Sequence, residues 1–161
     1  MVRDMSYFDQ LNQAVREALK SGQIGQPVFV RVTVTLAPVE ADGWAAVGAL
    51  VPVVQEWVGG PIQRVYAVES SGHRHAALAL QFRNGASALL SSVSPATGDP
   101  GLDVLILGNR GGIYHEGLTC GPAPGALLPA PAERADNAIR KVIETAFRTG
   151  QPQAVPPEGE P

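Results

Sequence analysis

Ser21-Gly22-Gln23-Ile24-Gly25-Gln26-Pro27, running directly into Val28-Phe29-Val30-Arg31-Val32, reads as a helix stop, a tight turn and an immediate strand. Upstream, Phe8, Leu11, Val15, Ala18 and Leu19 recur at helical spacing. Ser6 is an N-cap with Asp9 three residues on, Lys20 sits in the last turn, and Gly22 follows as the stop. Tyr7 to Ser21 is therefore a helix with one apolar face. Downstream, Pro27 to Leu36 alternates: Val28, Val30, Val32 and Val34 fall on one face, Phe29, Arg31, Thr33 and Thr35 on the other.

The same reading extends along the chain. Trp44 to Val58 is helical, with Val47, Leu50, Val51, Val54 and Val58 on one face; Pro52 should kink it or mark its true start. Gly59-Gly60-Pro61 ends it. Gln63 to Ser70 is a strand. His75 to Phe82 and Ala86 to Ser94 form a hairpin around the Asn84-Gly85 turn. Leu102 to Leu107 and Ile113 to Glu116 flank Gly108-Asn109-Arg110-Gly111-Gly112, and Asp103 reads as a turn residue. Residues 117–132 form a Pro/Gly-rich loop. Glu133 to Thr149 is a helix with Ile139, Val142, Ile143, Ala146 and Phe147 inward, and 151–161 is a proline-rich tail that need not be ordered.

Helix, strand, helix, several strands, helix is an α+β order, not an alternating βαβ one. The expected fold is an open-faced, largely antiparallel sheet with helices on one face, spanning residues 1–150 as one domain. The other face must meet solvent or a partner. Depending on register it draws on Phe29, Val65, Ala77, Ala79, Leu89 and Val93, which is too apolar for a comfortable solvated surface.

Composition excludes several function classes. Hydrophobic residues make up 45% of the 161, enough for a packed core rather than a disordered chain. A net charge of −3 offers no footprint for nucleic acid or an anionic membrane. No apolar run is long enough to span a bilayer, and the first six residues carry no apolar signal region. The lone Cys120 rules out an internal disulfide framework and a multi-cysteine metal site. A cytoplasmic protein is the simplest expectation.

The arrangement resembles the C-terminal domain of the glucose-fructose oxidoreductase / inositol dehydrogenase family (Gfo/Idh/MocA), over about residues 7–157. The resemblance rests on the Leu19–Pro27 turn and on Gln55-Glu56-Trp57-Val58-Gly59-Gly60-Pro61. It rests also on Leu80-Gln81-Phe82-Arg83-Asn84-Gly85-Ala86, on Leu105 to Ile113, and on Phe147-Arg148-Thr149-Gly150. It implies a sheet face through which subunits pair. Two departures shape the functional expectation. The family's nicotinamide-binding Rossmann domain has no counterpart in these residues. The glycine cluster at 108–112 has Arg110 where a dinucleotide fingerprint needs its second glycine, and a strand follows instead of a helix. The family's acid/base segment, which resembles Asp-x-Gly-x-His-x-x-Asp, aligns with Ala46, Leu50 and Val53; these cannot exchange protons.

No catalytic, cofactor-binding or metal residue is therefore expected, and no cofactor. The expectation is a non-catalytic domain that forms a homo-oligomer through the open sheet face. It could equally serve as the accessory subunit of a Rossmann-containing oxidoreductase. Neither nucleic acid nor membrane is an expected partner.

The alternative is a small-molecule-binding protein, or a nicotinamide-independent enzyme, with a pocket beside the sheet and Arg31, His73, His75 and His115 as ligand contacts. His73 and His75 share a strand face and could chelate a metal, but no third ligand is evident. His115 near Cys120 could make a nucleophile pair, although no helix N-terminus is there to lower the thiol pKa. Convergence of these groups in one cleft would mark the alternative; scatter would count against it.

Overall fold

A computed structural model describes residues 6–37, 42–70, 74–118, 128 and 137–157. Its helices are α1 (Tyr7–Lys20), α2 (Gly43–Val58) and α3 (Asn137–Thr149). Its strands are β1 (Pro27–Thr35), β2 (Ile62–Glu69), β3 (His75–Phe82), β4 (Ser87–Val93), β5 (Gly101–Gly108), β6 (Gly112–Leu118) and β7 (Gln153–Ala154). They form one open sheet in the order β6-β5-β1-β4-β3-β2-β7. Every pairing is antiparallel except β1 with β4. The expected α+β class, open-faced sheet and one-sided helical cover are all present.

Local chemistry accounts for the helix ends. Ser6 Oγ accepts from the Asp9 amide at 3.1 Å, and Asp42 Oδ1 from the Ala45 amide at 3.0 Å. Gly59 closes α2 in the left-handed region at φ 72°. Pro52 neither starts α2 nor ends it; the helix runs through it. A proline inside a helix costs about 3 kcal/mol. Burying Val47, Leu50, Val51 and Val54 at roughly 1.5–3 kcal/mol each more than offsets that.

The core lies between the helices and one sheet face. Val30, Val32 and Val34 of β1 meet Leu78 and Leu80 of β3, Leu90 of β4 and the apolar side of α2 in one buried cluster. α3 covers β2 and β7 with Ile139, Ile143 and Ala146. α1 is tied to α2 by the Trp57 indole N–H, which donates to Asn12 Oδ1 at 2.8 Å, and by Arg16 and Glu56 at 2.7 Å. Trp44 packs edge-on against Phe147 of α3. Both tryptophans thus serve packing.

Three side chains depart from the sequence reading. The register of β1 shifts between Pro27 and Phe29, so Val28 is exposed rather than aligned with Val30. A similar shift between Ile62 and Arg64 turns Val65 into the core. Asp103 stands within β5, opposite Thr33 and Glu116, not in a turn. Gln153–Ala154, read as tail, pairs with β2 and extends the sheet edge.

The helix-to-strand turn is locked onto the β5–β6 turn. Asn109 donates its amide to Gln26 O at 3.0 Å, and Arg110 donates to Ile24 O at 3.0 Å. Asn109 Oδ1 accepts from the Gln26 amide at 3.1 Å. Gly25 has φ 71°, and a Cβ there would overlap Asn109 Oδ1. Gly22 has φ 72° but open space around it. Gly25→Ala should therefore cost about 2–3 kcal/mol in urea unfolding, since strained φ and overlap add, against about 1 kcal/mol for Gly22→Ala. Equal losses for the two variants would contradict the locking role.

Candidate functional site: the open sheet face

The pairing register fixes which side chains share the face opposite the described helices. Across the sheet, one row reads Tyr114, Leu105, Arg31, Leu89, Ala79, Tyr66. The next reads Glu116, Asp103, Thr33, Ser91, Ala77, Val68. The described helices all lie on the opposite side. Tyr114 is 61% exposed, Val68 42%, Leu107 41%, Tyr66 40% and Leu89 37%. With Val28 at the β1 bulge, these are the large exposed hydrophobics among the described residues. Tyr114, Val68, Leu107, Tyr66 and Leu89 gather on this one face instead of scattering singly.

Polar groups interrupt the face in a definite pattern. Thr33 Oγ1 and Ser91 Oγ bond each other across β1 and β4 at 3.1 Å. Tyr114 Oη donates to Glu116 Oε2 at 3.3 Å. The Glu116 carboxylate, first among several causes, holds the Tyr114 hydroxyl above the usual tyrosine pKa; Asp103 adds to this and Arg31 opposes it. Arg31 is exposed on the interior strand β1, between Leu89 and Leu105, with no ion pair among the described residues.

The sequence candidates do not converge. Arg31 is on the open face. His115 points to the helix side, where Tyr7 Oη and His115 Nε2 are hydrogen-bonded. His75 is exposed at the start of β3, where its backbone pairs with Ser70. His73 and Cys120 lie outside the described residues. Among the described residues no cluster of three His, Cys, Asp or Glu is placed to hold a metal, and no helix is long and apolar enough to cross a membrane. Ala46 and Leu50 are buried in the core, and Val53 is half-buried. Gly108 to Gly112 forms the β5–β6 hairpin turn, with the Gly108 amide donating to Gly111 O at 2.7 Å.

Tyr7 went unnoticed in the sequence reading, because 108 residues separate it from His115. Burial, then Asp103, raises the Tyr7 hydroxyl pKa above its ordinary value. The raised value means that the folded state holds this proton more tightly than the unfolded chain. Its stabilisation is thus complete below the ordinary tyrosine pKa and lost as pH rises through the folded-state value. Tyr7→Phe should cost about 1 kcal/mol at neutral pH and flatten the alkaline loss of stability. Urea midpoints at neutral and strongly alkaline pH read both effects; an unchanged alkaline slope would remove Tyr7 as its source.

No family model and no curated protein matches the sequence. Solved structures do match the fold. A probable dehydrogenase from Thermotoga maritima superposes with a TM-score of 0.69 at 14% identity, over 92% of this chain and 62% of that one. The myo-inositol 2-dehydrogenase from Lactobacillus plantarum gives 0.67 at 10% identity, over 92% and 62%. The WlbA dehydrogenase from Bordetella pertussis, solved with NADH and UDP-GlcNAcA, gives 0.62 at 18%, over 89% and 60%. The chain spans about three fifths of the length of these proteins. The chain thus shares its fold with part of each of these dehydrogenases, as the sequence resemblance leads one to expect.

Proposed function

We propose that this domain pairs with a second subunit through its open sheet face, as the oligomerisation domain of a nicotinamide-dependent oxidoreductase or as an accessory subunit to one. In this role it contributes no acid/base group of its own. The observation that carries the reading is the concentration of exposed apolar side chains on the face away from the helices. The sheet has seven strands, one of them only two residues long. Six full strands about 4.8 Å apart, each about seven residues at ~3.4 Å, make a face of roughly 700 Å². That is close to the about 800 Å² per partner of a standard stable interface.

The state of α2 supports the same reading. Where the resembled family has its acid/base segment, Ala46 and Leu50 are committed to the core. A buried alkyl side chain neither moves a proton nor holds a polar substrate. The nicotinamide site and the acid/base groups would come from segments outside these 161 residues, on the same polypeptide or on a partner. The ligand-pocket alternative draws on convergence of several of Arg31, His73, His75 and His115, and Arg31 and His115 lie on opposite faces of the sheet.

Light scattering on the eluted chain at micromolar concentration should give twice the monomer mass. Leu89→Asp sets one new charge per copy into the middle of the face and should weaken the dimer by ~100-fold or more, with far-UV circular dichroism unchanged. A monomeric wild type, or a Leu89→Asp dimer of unaltered affinity, would refute self-pairing through this face and leave only the accessory-subunit role.

A further inference from the structure

The charges on the open face select a particular partner and a particular register. Arg31 lies on an interior strand, flanked by Leu89 on β4 and Leu105 on β5. Exposed to water, its guanidinium needs no counter-ion. Covered by any apolar surface, it must find one, because a desolvated unpaired charge is strongly unfavourable. One strand-row away, Asp103 stands directly opposite Glu116 across β5 and β6. Like charges in a facing cross-strand pair repel. Neither Arg31 nor this acidic pair has an ion-pair partner within 4 Å among the described residues. One face thus carries a cation and an acidic pair with no ion-pair partners among the described residues, offset from each other by one row.

We propose that the occupant of the face is a second copy of this chain, docked so that Arg31 of each copy reaches Asp103 of the other. The inference rests on the open-face pairing proposed above. Three two-fold axes in the plane of the interface show how the charges discriminate. An axis along the Arg31 row superposes Arg31 on its own copy. An axis parallel to the strands, between β1 and β4, sets Arg31 over Leu89 and Asp103 over Ala77, so both charges are buried against apolar groups.

An axis perpendicular to the strands, between the Arg31 row and the Asp103 row, behaves differently. Arg31 then stands over Thr33 of the other copy, with Asp103 of that copy on the adjacent strand. Glu116 stands over Tyr114, which already donates to a glutamate within its own chain. No charged residue of these rows faces a like charge. Facing sheets sit about 10 Å apart, tilted by about 30°, a gap that an arginine and an aspartate side chain bridge together. Arginine suits the place, since its planar fork can grip a carboxylate with two hydrogen bonds.

A charge-swap pair tests this on the full chain by analytical ultracentrifugation and native mass spectrometry. Arg31→Asp alone sets aspartate against aspartate, and Asp103→Arg alone sets arginine against arginine. Each should raise the dimer dissociation constant by ~100-fold or more, given the coupling seen for close interfacial charge pairs. Mixed in equal amounts, the two variants regain both contacts. The mixture should therefore form a heterodimer with affinity within ~10-fold of wild type, at a mass distinct from either homodimer. If a swap variant does not fold, Arg31→Gln and Asp103→Asn each remove the same contact with a neutral side chain and should weaken the dimer.

The outcomes separate. A monomeric wild type removes self-pairing through the open face, and the Arg31 docking with it. A dimeric wild type whose affinity is untouched by both Arg31 substitutions overturns the Arg31 docking alone. Swap variants that are both monomeric and stay monomeric when mixed overturn it too, because Arg31 and Asp103 would then act within one chain.

Discussion

The close stacking of the α1–β1 turn on the β5–β6 turn is the constraint on which the sheet depends. Three hydrogen bonds join Gln26, Asn109, Arg110 and Ile24. They form only because neither chain carries a side chain at the point of approach. A Cβ on Gly25 would strike Asn109, and one on Gly108 would strike the Ile24 carbonyl. The contact fixes where β1 begins against β5, across a local register shift. Since β1 also pairs in parallel with β4, its position joins the β5–β6 hairpin to the β4-β3-β2 meander. A one-residue slip would move Val30, Val32 and Val34 from the core to the open face.

With that register set, the two faces separate sharply. The helix side holds fully buried valine, leucine and isoleucine, with the few polar atoms satisfied. Ser92, for example, donates to the Gly43 carbonyl at 2.9 Å inside the core. The open side carries tyrosine, leucine and valine beside Arg31, Asp103 and Glu116. A hydroxyl pair, Thr33 and Ser91, sits at its middle. Apolar and charged side chains thus share one face, in rows that the strand register sets.

Much of the fold was legible because its signals are local. Ser6 and Asp42 cap helices through bonds to amides three residues on. Asn84-Gly85 makes its hairpin turn with Gly85 at φ 89°. Alternation showed which residues of β1 beyond its first two face the core. The misses share one cause. Strict alternation puts Val28 with Val30, and Val65 depends on the choice of register; a single register shift reverses the side on which a residue falls. Pro52 was judged by its cost to an isolated helix, whereas burial of its neighbours decides the outcome. Ala154 gains a partner in Arg64, ninety residues earlier, which no local rule can supply.

The candidate face was legible as an apolar excess but not as a site. From sequence alone, Arg31 and His115 were equally plausible partners in a pocket; the sheet puts them on opposite sides. Tyr7 and His115 meet only because α1 folds back over β6. What the sequence determines by itself is the alternation of strands, the helix ends and the glycine turns, since each depends on chemistry within a few residues. Which charges share a surface, and which face stays uncovered, was decided only by the tertiary structure. Strand order and register set those distances, and both arise from pairings between segments far apart in the chain.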